Sequence, residues 1–174
     1  SAACRLKQLK PKTSIAIVEK GSEVGAHILS GAVLEPTALD ELFPNWKDLG
    51  APVKTAVSQD ELYFFTKTKS IKIPHFLAPK TMRNNGNFII SLGNLCRWLA
   101  KQAERLGVDI FPGFPASSLL YSNDGSVSGI ITGDMGIDAK NEKKPSYTQG
   151  MEIRGKYTLL SEGCRGHLGK EVIE

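Results

Sequence analysis

Residues 1–19 read SAACRLKQLKPKTSIAIVE, and their order decides the fold. Ala2 to Leu9 has helical spacing, with Ala3, Leu6 and Leu9 on one stripe, and Pro11 ends it. Ser14-Ile15-Ala16-Ile17-Val18 follows as an apolar strand that finishes at Glu19, the kind of strand a buried parallel sheet uses. Helix, short turn, strand and terminal acid make the second half of a βαβ unit. In dinucleotide-binding folds a glycine-rich turn opens such a helix, and an acid about 20 residues further on holds the ribose hydroxyls. Glu19 stands where that acid belongs. A solvated acid at a strand end would look the same, so spacing alone leaves both readings open. The glycines would precede Ser1, so the pattern predicts a section of a longer chain.

Outward from this unit, GSEVGAHILSGA at 21–32 carries three glycines and no clear period. It suits either a backbone that approaches a ligand closely or a set of tight turns. A short helix starting near Pro36 turns Ala38, Leu39, Leu42 and Phe43 inward, and Pro44 stops it. Ser91 caps the clearest helix, where Leu92, Leu95, Cys96, Leu99, Ala103 and Leu106 recur at helical spacing up to Gly107. Val108 to Phe111, Ser117 to Tyr121, Ser126 to Thr132, Met151 to Arg154 and Lys156 to Leu160 read as strands. Ser122 to Gly125 is a turn, and the polar stretch 138–149 reads as an exposed loop. SEGCRGH at 161–167 is a glycine turn before a helix start, which fits either a phosphate contact or a plain strand–helix connection.

The chain has 174 residues, 41% apolar and 23% charged, an ordinary globular composition that argues against disorder. No apolar run approaches the ~18 residues of a membrane-spanning helix, and the first residues lack a secretory signal. The net charge of +4 is too small to argue for nucleic acid, and no recognition motif is present. Its placement is uneven. No acid lies between Leu62 and Ala103, while Lys67, Lys69, Lys72, Lys80, Arg83, Arg97 and Lys101 all do, a field that attracts anions. The three cysteines, Cys4, Cys96 and Cys164, suggest no disulfide framework and fit a reducing compartment. They are too few for the four ligands of an iron–sulfur cluster, and Cys164 with His167 is a weak metal signal. His27, His75 and His167 are scattered and no paired carboxylates stand out, so nothing predicts catalysis by side chains. That is the pattern of a protein whose cofactor carries the chemistry.

Leu62 to Leu77 is unusual. Leu62-Tyr63-Phe64-Phe65 and Ile71-Lys72-Ile73 flank Thr66-Lys67-Thr68-Lys69-Ser70, and Phe76 and Leu77 follow between prolines. Apolar side chains ringed by lysines can dip into a bilayer interface while the ammonium groups meet lipid phosphates. An edge hairpin whose aromatics fill the core is the competing reading.

Several stretches together resemble the electron transfer flavoprotein–ubiquinone oxidoreductase family. They are SAACRLKQL at 1–9, VEKGSEVGAHILSGAVLEP at 18–36, LFPNWKDLGAP at 42–52, PKTMRNNGNFIISLGNLCRWLAKQAERLGV at 79–108, GIITGDMGI at 129–137 and KYTLLSEGCRGHLGK at 156–170. The resemblance implies an α/β fold: an incomplete FAD-binding, Rossmann-like domain of glutathione-reductase type with an inserted β-rich segment. Residues 1–50 and 91–174 would belong to the FAD-binding part and 51–90 to the insertion. It also implies FAD, a 4Fe-4S cluster with ligands outside this chain, and ubiquinone and electron transfer flavoprotein as partners. Attachment would be peripheral, to a bacterial cytoplasmic or mitochondrial inner membrane.

By the same resemblance, Glu19 and Lys20 match the ribose-binding end of the strand, and the Leu119 backbone matches the position lying against adenine. Glu162 and Gly163 match the pair that closes on the ribityl and pyrophosphate portion, and Gly31 and Ala32 fall near the isoalloxazine ring. Leu62, Tyr63, Phe64, Phe65, Ile71, Ile73, Phe76 and Leu77 match the membrane-dipping element. Two departures stand out. The phosphate-loop glycines are missing, which implies weak or no FAD binding by these residues alone. Ser91 stands where many related flavoproteins have an arginine. A non-catalytic membrane-binding module on a flavoprotein scaffold and a piece of a soluble flavin monooxygenase are the alternatives, and the second predicts no basic, aromatic hairpin.

Overall fold

The computed structural model describes residues 1–138, 140, 142–163 and 166–173. In chain order its elements are α1 (Ala2–Leu9), β1 (Ala16–Glu19), β2 (Ala32–Leu34), α2 (Thr37–Leu42), β3 (Thr55–Ala56), β4 (Leu62–Phe65), β5 (Ser70–Ile73), β6 (Phe88–Ile90) and α3 (Leu92–Arg105). These are followed by β7 (Asp109–Pro112), β8 (Ala116–Tyr121), β9 (Val127–Thr132), β10 (Met135–Ile137), β11 (Lys143–Thr148), β12 (Glu152–Arg154) and α4 (His167–Ile173). The architecture is α/β, as the sequence predicts, and agrees with an incomplete Rossmann-like FAD-binding domain. Packing divides the chain into one unit of Ser1–Ile15 with Val24–Asp109 and another of Ala16–Glu23 with Ile110–Glu174.

In the first unit α1 lies on α3. The buried face of α1 is Cys4, 1% exposed, with Lys7, whereas Leu6 and Leu9 are exposed. The predicted Ala3–Leu6–Leu9 stripe is therefore corrected by one helical face. Lys7 can lie inward because its alkyl stem passes Gly107 and its ammonium donates to Pro11 O at 3.3 Å. Burial pushes the Cys4 thiol above its ordinary pKa.

Ser91 Oγ accepts from Asn94 N and caps α3, as predicted. The face of α3 turns further than the leucine spacing implies. Leu95, Trp98, Gln102 and Ala103 are buried, and Leu92, Cys96, Leu99 and Leu106 are only half-buried. Trp98 explains the rotation: its Nε1–H donates to Leu49 O at 3.0 Å, so the ring buries without leaving a donor unmet. Phe43 meets Trp98 edge-on at 5.6 Å, and Trp46 meets Phe88 at 5.9 Å while donating to Asp40 Oδ1 at 2.6 Å. In α2 only Leu39 is buried, because six residues present one narrow stripe; Ala38, expected inward, is exposed and Leu42 half-buried. β6 is the middle of an antiparallel three-stranded sheet, with β2 on one side and β3 on the other.

In the second unit β1 pairs with β7. Asp109 N donates to Ile15 O and Phe114 N to Glu19 O, so the bonds advance together along both segments, the parallel sense. β1 is half-buried rather than fully buried. β12, β9 and β8 form an antiparallel sheet. Leu119, Ile130 and Leu168 are the core of this unit, and Val18, Ala116, Val127 and Ile153 pack against them.

Two expectations fail here. The stretch 138–149 is not simply a loop: β11 pairs antiparallel with β10, with Met135 opposite Thr148. Its strand is exposed on both faces, so it carries no apolar alternation to read. Conversely, Lys156 to Leu160 is apolar enough to read as a strand but forms none, because no strand among the described residues lies alongside to pair its backbone.

Gly129 in β9 has φ 152°, and a Cβ there would sit 2.1 Å from Ile153 O. Gly125, in the β8–β9 turn at φ 82°, has open space around it. Gly129→Ala should cost about 3 kcal/mol or more, by forcing β12 off β9. Gly125→Ala should cost about 1 kcal/mol, the backbone term alone. Urea unfolding of the two variants should rank them in this order.

Candidate functional site

The candidate nucleotide-binding residues of the second unit, Glu19, Leu119 and Glu162, are far apart in sequence but share one core. Val18 packs against the cluster of Leu119, Ile130 and Leu168. Glu19 follows Val18 directly, Leu119 is itself a candidate, and Leu168 adjoins Gly169, whose N–H bonds Glu162. One apolar cluster thus fixes the carriers of all three.

Glu19 is half-buried at the end of β1. Its Oε1 accepts from Gly21 N at 2.6 Å, which turns the chain sharply after the strand. Its other oxygen has no protein donor among the described residues, so the carboxylate keeps free acceptor capacity for hydroxyl groups. Lys20 is exposed. Leu119 buries its side chain in the core and pairs with Ile130; β8 is the edge strand of its sheet, so its other backbone edge is unpaired by strand.

Glu162 is locally engaged. Its Oε2 accepts from Gly169 N at 3.0 Å in the first turn of α4, and its Oε1 lies 3.4 Å from His167 Nδ1. The other nitrogen of His167 lies 3.3 Å from Ser117 O on β8. Glu162 thereby satisfies a helix N–H that would otherwise be unmet. Gly163 has φ 75° and open space beside it. Cys164, and with it the weak Cys164–His167 metal pair, lies outside the described residues. Among the described residues no group of three or more His, Cys, Asp or Glu could hold a metal ion.

In the first unit, Gly31 has φ 91° with nothing within 4 Å of where a Cβ would be, and Ala32 opens β2 opposite Ile90. Ser30 Oγ donates to Ser91 Oγ at 2.9 Å, tying this loop to the head of α3. No local pattern in the sequence encodes that hydroxyl pair.

The hairpin forms where the sequence predicts it, and its aromatics do not fill a core. β4 and β5 form their own two-stranded sheet, pairing Leu62 with Ile73, Tyr63 with Lys72, Phe64 with Ile71 and Phe65 with Ser70. Tyr63, Phe64, Phe65, Ile71, Phe76 and Leu77 are exposed, Phe65 at 73% and Phe76 at 75%; Leu62 and Ile73 are half-buried. Glu61 organises the hairpin base. It accepts from Lys72 Nζ at 2.5 Å, Tyr63 OH at 2.7 Å and Gln59 Nε2 at 2.7 Å. Tyr63 stacks on Phe65 at 6.1 Å, with Lys72 over its ring. The segment after β5 is braced by Arg83, which donates to Phe76 O at 3.0 Å and Ala78 O at 3.1 Å. Asp60 adds bonds from Asn84 N at 3.0 Å and Asn84 Nδ2 at 3.2 Å, and lies 3.5 Å from His75 Nε2. No helix among the described residues is long and apolar enough to cross a membrane.

Over its whole length the chain is 60% identical to the electron transfer flavoprotein-ubiquinone oxidoreductase of Pseudomonas aeruginosa. Along its entire length its sequence is similar to electron transfer flavoprotein–ubiquinone oxidoreductases. It is 51% identical to the mitochondrial relative in Dictyostelium discoideum and 45% to that in Mus musculus, again along the entire chain. The chain spans about a third of the length of these relatives, 33% in Pseudomonas aeruginosa and 29% in mouse. No protein-family model matches it. In structure it is similar to a geranylgeranyl bacteriochlorophyll reductase-like protein from Thermoplasma acidophilum, with a TM-score of 0.57 and 19% identity over 89% of this chain and 34% of that one. That likeness establishes a shared fold.

Bonds from Lys72, then Tyr63, hold Glu61 well below the usual carboxylate range, at about 2. A carboxyl so depressed adds its share of hairpin order above the unfolded pKa and loses it as pH falls from the ordinary value of 4.5 towards 2. The Tyr63 ring resonances should therefore stay constant down to about pH 4.5 and shift between there and about pH 2. Glu61→Gln should abolish that transition in an NMR titration.

Proposed function

We propose that this chain is the flavin-holding and membrane-contacting section of an oxidoreductase that passes electrons from reduced electron transfer flavoprotein to ubiquinone, through FAD and a 4Fe-4S cluster. The cluster's ligands lie outside this chain. The geometric support is the shared core under Glu19, Leu119 and Glu162: residues expected on one elongated nucleotide are held by one packed cluster.

The residues fit FAD in kind. The free oxygen of Glu19 accepts from ribose hydroxyls, the unpaired backbone edge of β8 at Leu119 borders the adenine, and Lys20 adds a cation beside the ribose end. Glu162 and Gly163 would border the ribityl and pyrophosphate portion, where the Glu162 carboxylate could accept from ligand hydroxyls. FAD supplies the one-electron chemistry when bound, while these residues bind and orient it. No acid–base group of this chain is required. The hairpin, with Phe76 and Leu77, rests the protein on a lipid surface so that a quinone can enter without leaving lipid.

Two measurements test this reading in the full-length oxidoreductase of which this chain is a section. Glu19→Ala should lower FAD affinity about 10- to 100-fold, the worth of hydrogen bonds to a charged group. Flavin absorbance retained after gel filtration reports it, and retention equal to the native protein would count against Glu19. Changing Phe64, Phe65 and Phe76 together to Ser should release the protein from sedimenting vesicles with its flavin intact, and unaltered sedimentation would remove the anchor.

A further inference from the structure

We infer that the β4–β5 hairpin docks on its side, pressing the Leu62–Phe64–Ile71–Ile73 face into the headgroup boundary of an anionic bilayer, and does not enter tip first. This rests on the membrane-contact reading above and goes beyond it in orientation and lipid class.

The register sorts the hairpin into two unlike faces, because side chains directly opposite in an antiparallel pair project to the same side. Leu62, Ile73, Phe64 and Ile71 share one face, which carries no polar atom. Tyr63, Lys72, Phe65 and Ser70 share the other. The second face is tied to water-soluble groups: Lys72 and the Tyr63 hydroxyl both bond Glu61. The first face is the wholly apolar one, with Phe64 and Ile71 exposed and Leu62 and Ile73 half-buried at its base, and so fits acyl chains better than the second, where Phe65 sits beside polar groups.

The backbone forbids deep entry. β4 and β5 pair only with each other among the described residues, so each outer edge presents unpaired N–H and C=O groups. Hydrocarbon offers them no partner, which is why open sheet edges are not found exposed to lipid at that depth. At the headgroup level, water and phosphate oxygens satisfy them. The tip argues the same way. Thr66 N donates to Lys69 O at 2.8 Å and Thr66 Oγ1 accepts from Lys69 N at 2.9 Å, closing a polar turn that exposes Lys67, Thr68 and Lys69. A tip-first hairpin would drive these charges through the layer ahead of its aromatics.

Charge selects the lipid. Glu61 neutralises Lys72, whereas Lys67 and Lys69 have no acidic partner among the described residues. No acid lies between Leu62 and Ala103, so the surface that meets the headgroups is cationic.

The test places a tryptophan at Phe64 (F64W) or at Thr68 (T68W) in the full chain and compares quenching by brominated lipid; Trp46 and Trp98 are buried and give a constant background. Vesicles are phosphatidylcholine with or without phosphatidylglycerol, and circular dichroism confirms that each variant folds. F64W should be quenched more strongly than T68W. The double variant K67Q/K69Q should bind phosphatidylglycerol-containing vesicles about 10- to 30-fold more weakly while its binding to phosphatidylcholine alone changes less than about two-fold. T68W quenched as strongly as F64W, or equal affinity of the native chain for both vesicle types, would overturn the side-on, anionic docking while leaving membrane attachment standing. Native protein that binds neither vesicle would refute the attachment reading itself, and this inference with it.

Discussion

A single apolar cluster sets the geometry of the second unit of this molecule. Leu119, Ile130 and Leu168 come from an edge strand, a central strand and a late helix, and Val18 reaches them from the strand near the start of the chain. Leu168 is 1% exposed, so little room remains for these segments to slide past one another. Loop closure over such separations is entropically costly, and this cluster offsets that cost. Glu19 and Glu162 inherit their positions from it; neither is placed by its own bonds to the other.

The hairpin follows the opposite logic. Its order comes from polar bonds at its base and tip, with Glu61 at one end and Thr66 at the other. Phe64 and Phe65 contribute little to that order, since most of their surface faces outward. A ribbon of two strands is marginal in water without such help. The apolar residues are therefore available for an external contact, and substitutions there should disturb binding more than folding.

Periodicity made α3, the hairpin and β8–β9 legible, because each carries apolar spacing bounded by turn residues. It misplaced faces by one step where a long side chain lay inward for reasons of reach: Lys7 extends past Gly107, and Trp98 finds Leu49 O. It missed β11, whose polar, proline-containing strand has no buried side to alternate with. It over-read Lys156 to Leu160, since apolar content marks a segment that can pair but not whether a partner is present. For the candidate site, spacing alone left Glu19 open between a ligand and a solvated strand end. The Glu162–Gly169 bond and the Ser30–Ser91 pair depend on close approaches that no local pattern encodes.

Arg83 spans the turn that carries Phe76 and Leu77, holding Phe76 O and Ala78 O with two separate nitrogens. A clamp of this kind removes backbone freedom before any encounter. The two hydrophobic side chains thus stand on a preorganised shelf, and less conformational entropy is left to lose when a surface covers them.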